Sequence, residues 1–365
     1  MSIDFAALKS APRILIEVAL KPVQGTRIQP TGFPDLGAAL YDAPDGNGGT
    51  IPTLLVESAQ SMANRLEAVC WDEGKDGPVD ALKGLPYVLV KLAGLGDGTD
   101  TTTSLQEFHR LNSPYIMSGE TADKKSFADV LKPELGMTAV AGKTKKGAKK
   151  PDADAPADDA PASTEKEPDD VAGVVNLRKL AAVCFKYDPN SLIHGIFLEK
   201  IAGRLRHPRA LSAFIEASGV GRADSGGVKF DRVFPGKDAS KGIVSEKGFT
   251  NVPFHRTEFT AQSITAYFSI DLAQIRGYGL PEDATNLLIA LSLWKVRQFL
   301  DSNIRLRTAC ELELKDEKAS ITVKRPGKFA LPASEDFGDT IEKLIGKCKA
   351  QFASPAVTEL TWTTK

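Results

Sequence analysis

The stretch RILIEVALKPV, residues 13–23, decides what kind of fold this chain builds. Its crowding of Ile, Leu and Val over few residues, ending at a proline, reads as a β-strand. Downstream, Gly25, Pro30, Gly32, Pro34 and Gly37 punctuate a loop between residues 25 and 37. A helix is predicted next. Thr50 is placed to cap it, Pro52 suits its first turn, and Leu55, Met62, Leu66 and Val69 recur at helical spacing. Residues 85–92 read as a second strand, and residues 95–142, rich in Gly, Thr and Asp, as an irregular appended subdomain.

Further along, Leu180 to Phe185 fits either a strand or a short helix, and Leu211 to Ala217 and Ile264 to Leu272 read as strands. Asp283 to Leu300 is predicted as a helix, with Leu287, Leu288, Leu291, Trp294, Val296 and Leu300 inward. Thr308 to Leu314 and Ser320 to Lys324 are expected to pair as a hairpin, and Thr340 to Phe352 to form a last helix. Between these elements, residues 222–254 are glycine-rich and charged without clear periodicity, the mark of a long protruding hairpin or loop. Strands separated by helices, with long insertions and no internal repeat, give an α+β sheet-and-helix sandwich.

Charge divides the chain. Residues 1–142 carry 12 basic against 18 acidic side chains, whereas residues 171–310 carry 19 against 12. A basic region inside a nearly neutral protein points to a polyanionic partner. Between the two lies a lysine block (Lys143, Lys145, Lys146, Lys149, Lys150), then Pro, Ala and eight acids without an aromatic residue. Residues 143–170 therefore read as a disordered charged insertion. Four well-separated cysteines (Cys70, Cys184, Cys310, Cys348) form no CxxC pair, as expected of a reduced, cytoplasmic protein. No apolar run approaches the roughly 18 residues of a membrane span, and the start, with Asp4, does not read as a secretory leader.

Several familiar chemistries fail on spacing. The GKT at Gly142 to Thr144 follows Gly136 by five intervening residues where a phosphate-binding loop needs four. Gly94, Gly96 and Gly98 are not followed by a helix, which a dinucleotide loop requires. His109, His194, His207 and His255 form no HExxH or i, i+4 pair, and no GxSxG elbow is present. No metal or cofactor is expected. Two features suit nucleic acid instead. Arg204, Arg206 and Arg209 cluster as guanidinium groups fitted to phosphates, or else form a solvated helix end. Gln29, Thr31, Ser58, Ser61, Asn64 and Arg65 make a polar set, with Ser58, Ser61 and Arg65 on one helix side.

Seven longer phrases carry a resemblance: IQPTGFPDLGAALY (residues 28–41), LVESAQSMANRLE (55–67), DPNSLIHGIFL (188–198), SGGVKFD (225–231), VPFHRTEFTA (252–261), IRGYGL (275–280) and LRTACELE (306–313). Together they resemble the backbone (Cas-seven group) subunit of type I-G, formerly I-U, CRISPR surveillance complexes, in the repeat-associated RNA-binding superfamily. That resemblance implies an RRM/ferredoxin-like palm, a helical fingers insertion and a protruding thumb. Residues 1–142 would supply the first part of the palm and the fingers. Residues 171–365 would supply the rest of the palm, with the thumb at about 222–260.

The resemblance implies a non-catalytic protein that polymerises along CRISPR RNA and presents the guide for pairing with target DNA, alongside further copies of itself and other effector subunits. It also implies site residues. Gln29, Thr31 and Gly32 would bring backbone amides to RNA phosphates, with Arg65 on the following helix facing the same groove; Ser58 and Ser61, on that helix side, are either further RNA-binding residues or ordinary surface polars. Lys229 and Arg256 would belong to the thumb, and His194, Arg204, Arg206 and Arg209 would complete the RNA contacts. Asp224 and Asp231 are given no cutting role. Two alternatives remain open at this level: a CRISPR-RNA processing endonuclease using His194 as base, and a self-assembling structural protein that ignores nucleic acid.

Overall fold

In the computed structural model the described residues are 3–33, 35–93, 100–137, 176–199, 201, 205–229, 252–316 and 320–364. The charged insertion at 143–170 and the tip of the 222–254 segment lie outside them. They form two units. The first comprises Met1–Lys83, Arg209–Gly277 and Pro281–Lys347, and the second Gly84–Pro208, Tyr278–Leu280 and Cys348–Lys365.

In the first unit the opening strand is β1 (Arg13–Pro22), and its side chains alternate as a half-buried strand requires. Ile14, Ile16, Val18 and Leu20 are buried while Leu15, Glu17 and Ala19 are partly open. Burying four such apolar side chains stabilises the sheet by about 1.5–3 kcal/mol each. Around β1 run β2 (Leu40–Pro44), β3 (Thr50–Glu57), β4 (Leu211–Ser218), β5 (Gly221–Lys229), β6 (Val252–Thr260), β7 (Ser263–Asp271), β8 (Ile304–Arg307), β9 (Cys310–Leu314) and β10 (Ile321–Arg325). Eight of these make one antiparallel sheet in the order β8-β9-β1-β7-β4-β3-β2, with β10 also on β1. Two helices, α1 (Ala59–Ala68) and α2 (Glu282–Asp301), pack against each other, α1 on β4 and α2 on β7. Glu282 and Asp283 in the first turn of α2 favour its positive N-terminal end. The strands β5 and β6 form a separate antiparallel hairpin, extended by the short strand Arg27–Ile28, so the 222–254 segment begins and ends in paired backbone.

Two sequence expectations are corrected here. The helix predicted from Thr50 begins only after Ser58, because Thr50–Glu57 is a strand. Thr50, Ile51, Thr53 and Val56 are β-branched and suit a pleated surface, and Ser58, whose hydroxyl accepts from the Ser61 amide at 3.2 Å, starts the helix. The predicted hairpin of residues 308–314 and 320–324 does not form. Both segments instead line one edge of β1 end to end, β9 opposite Leu20 to Pro22 and β10 opposite Leu15 to Val18.

The second unit holds a three-stranded sheet. Tyr87–Ala93 pairs antiparallel with Thr101–Thr103 and parallel with Val357–Thr363. Residues 100–137, expected to be irregular, carry the helices Pro114–Met117 and Phe127–Glu134 as well. Leu177–Tyr187 is the helix left undecided by sequence, and its Tyr187 meets Phe127 edge-on at 5.1 Å. No helix among the described residues is long and apolar enough to cross a membrane.

Candidate nucleic-acid interface

In the first unit the loop after β1 is pinned at three points. The Gln29 amide donates to the Ala309 carbonyl at 2.8 Å and the Thr31 amide to the Val56 carbonyl at 2.9 Å. Arg307 closes the structure, its Nη1 donating to the Gln29 carbonyl at 3.0 Å and the Val56 carbonyl at 3.1 Å, its Nη2 to the Glu57 carboxylate. A planar guanidinium spreads its donors over two nitrogens and so reaches acceptors set apart, a geometry that the single nitrogen of a lysine does not match. Beyond the pinned stretch, Gly32 pairs with Ala38, and a Cβ at Gly32 would lie 3.1 Å from the Gly37 carbonyl oxygen. Gly37 itself sits at φ +69°. The tight fold-back leaves a groove of about 790 Å³ between the loop and the foot of the β5/β6 hairpin. Gln29, Thr31 and Gly32 of the loop line it together with Arg222 and Thr257 of the hairpin and with Arg307.

The amides of Gln29 and Thr31 are thus bonded within the fold. The positive charge comes from side chains. Glu57, fully buried, receives both Arg307 and Arg65, the latter at 3.7 Å. Glu258, also buried, receives Arg27 at 2.9 Å and Arg256 at 3.6 Å, with the Ser225 hydroxyl donating at 3.2 Å. One carboxylate against two guanidiniums leaves each cluster with an excess positive charge. At the groove rim the exposed Arg222 pairs with Asp224 at 3.0 Å. Hydrogen bonds from Thr257, then Arg222, hold the Asp224 carboxyl below its ordinary pKa.

The opposite face of the eight-stranded sheet differs in character. Phe214 and Tyr267 stack there, centroids 5.0 Å apart, with Glu17 and Glu216 beside them. The Tyr41 hydroxyl donates to Glu216 at 2.5 Å, and burial first, then that carboxylate, pushes the phenol up to about 12. Among the described residues no group of three or more His, Cys, Asp or Glu side chains is gathered to hold a metal ion.

Residues 14–222 match the family described as CRISPR-associated protein GSU0053. This chain belongs to that family. Among solved structures it is similar to a chain described as "CRISPR RNA-guided surveillance complex, pre-nicking", at 14% identity over 92% of this chain and 87% of that one, with a TM-score of 0.35. It is also similar to the crystal structure of Thermofilum pendens Csc2, at 10% identity over 96% and 81%, with a TM-score of 0.29. No curated protein matches it.

In this GSU0053-family chain the expected site residues are spread over several places. Gln29, Thr31 and Gly32 meet at the groove. Ser58, Arg65 and Arg209 are engaged within the fold. Ser58 caps α1, Arg65 donates to the Arg305 carbonyl at 3.2 Å and to that of Leu306, and Arg209 donates to the Ala59 carbonyl at 3.2 Å and to the Gln60 side chain. Ser61 is half-buried in the first turn of α1. Arg256 lies on the hairpin face opposite Thr257 and Phe259, which line the groove, because successive strand residues alternate. Lys229 stands opposite Val252 at the end of the described hairpin. In the second unit, Arg206 is exposed on a short hairpin, while His194 is buried at a helix end. Arg204 lies outside the described residues. Sequence reasoning missed Arg222, Arg307 and Arg27. The one signal available was the LRTACELE phrase, which contains Arg307.

Proposed function

We propose that this protein is an RNA-binding, non-catalytic backbone subunit of a CRISPR effector complex of type I-G. In this reading the eight-stranded sheet with α1 and α2 belongs to an RRM-like palm, the second unit contains the fingers, and the hairpin β5/β6 starts the thumb. The single observation that carries the proposal is the groove at the hairpin foot, where the loop lining meets Arg222 and Arg307, the latter sharing the buried Glu57 with Arg65. A guide changes sequence from complex to complex, so its protein must hold shape and phosphate charge and leave the bases for pairing. Several copies would line one CRISPR RNA beside other subunits, and target DNA would be met through the guide. The burial of His194 favours this over the processing-nuclease reading, since a general base must reach the proton it takes.

The test is co-purification of the protein with its neighbouring subunits and a CRISPR array, followed by sequencing of any bound RNA. Protected RNA of one discrete length with repeat-derived ends is expected. Isolated protein that cuts the repeat, or assemblies free of RNA, would overturn the reading.

A further inference from the structure

A second chemistry lies in the core of the first unit, and it stands independently of the RNA reading. Lys295, in the middle of α2, is fully buried. Its Nζ donates to the Leu66 carbonyl at 3.3 Å and to Cys70 Sγ at 2.9 Å. Cys70 lies just past the end of α1 and is buried as well. The amine therefore has a carbonyl and a sulfur as partners rather than a carboxylate. An ammonium buried without a counter-ion is strongly disfavoured. Nitrogen and sulfur thus face each other at close range inside the core. Cys184 and Cys310 are also buried thiols, held up in pKa chiefly by that burial, and neither has a lysine hydrogen-bonded to its sulfur among the contacts given above.

We propose that Lys295 and Cys70 form an oxidative modification site, closing an N–O–S crosslink under peroxide. The reaction balances with two equivalents of hydrogen peroxide. One S–H bond, one N–H bond and both O–O bonds break, S–O and N–O bonds form around one peroxide oxygen, and three waters leave. Nitrogen and sulfur each give up two electrons, and the two peroxides accept all four. Sulfur reacts first, to the sulfenic acid, the entry to cysteine oxidation. The adjacent nitrogen then intercepts that oxygen before further oxidation of sulfur. Because the site is buried, the reaction proceeds through local opening and is slow. The product joins the end of α1 to the middle of α2. The helix so fixed carries Arg65, which holds the Arg305 and Leu306 carbonyls and shares Glu57 with Arg307, so the link stiffens the frame beneath the groove without touching it.

The test treats the full chain with hydrogen peroxide and follows intact mass and digested peptides. A species heavier by about 14 Da, one oxygen gained and two hydrogens lost, is expected. Its fragments should join the peptide containing Cys70 to that containing Lys295, and a thiol reductant should reverse it. The crosslink should survive replacement of the other three cysteines by serine and vanish in Cys70→Ser and Lys295→Met. Oxidation that stops at sulfenic or sulfinic acid on Cys70, heavier by roughly 16 or 32 Da with Lys295 unmodified, would overturn the proposal. So would peptides containing Cys70 and Lys295 that stay unmodified under peroxide that fully oxidises an added methionine peptide. The mapping on the unsubstituted chain decides the matter even where a variant fails to fold.

Discussion

One sheet carries two surfaces of opposite chemistry. At the end of β3 and the β8/β9 turn, buried Glu57 gathers two arginines under a loop that opens into a groove. On the open face of β1, β7 and β4, two aromatic rings stack on each other with carboxylates beside them. An RRM that reads bases uses aromatic residues on its sheet. Here the aromatic face carries acids and the arginines gather at the groove, so the two faces differ in the charge they would offer a polyanion.

The most damaging break of that contrast is Arg307→Ala. Removing three hydrogen bonds from a charged group should weaken RNA binding tenfold to a hundredfold, with Arg307→Lys nearly as poor because an ammonium cannot make the fork. If Arg307 positions the loop, titrations across a salt series should show lower affinity at an unchanged salt slope. A slope smaller by about one would make it a direct phosphate contact instead. Arg222→Ala should cost less, several-fold, but should reduce the slope by about one, as expected of an exposed guanidinium at the rim.

On the other face, Phe214→Ala with Tyr267→Ala should leave RNA affinity within twofold of the parent while lowering the unfolding midpoint, since a stacked pair contributes about 0.5–1.5 kcal/mol beyond its burial. A large loss of RNA binding there would erase the distinction between the faces. The smallest effect concerns Tyr41. Its folded pKa, about 12, lies above the ordinary phenol value near 10, so its hydrogen bond to Glu216 stabilises the fold fully below about pH 10. That contribution is lost as pH rises towards 12, and alkaline unfolding of Tyr41→Phe should lack this component.

Much of the frame was legible in the chain. Residues 13–23 announced β1 through β-branched crowding, and residues 283–300 announced α2 through helical spacing. The error at Thr50 had a physical source. Leu55, Met62, Leu66 and Val69 happen to keep helical spacing across a strand–helix junction, and only the cap at Ser58 marks where the backbone changes. The groove was half legible. Gly32 and Gly37 signalled a fold-back, but Arg307 meets Glu57 across a separation of 250 residues, and local pattern carries no trace of such a partner. Helical spacing gives Arg65 a side in common with Ser58 and Ser61, but not the Arg305 and Leu306 carbonyls that it bonds.

The central claim is most directly tested by the salt dependence of binding to several guide RNAs of unrelated sequence, for the parent chain and for Arg222→Ala with Arg307→Ala. Lines of log affinity against log salt that are parallel among all guides, and that in the double variant are lowered together with a slope smaller by about one, are the predicted result. Affinities that differ strongly among guides, or that ignore both arginines, would contradict it.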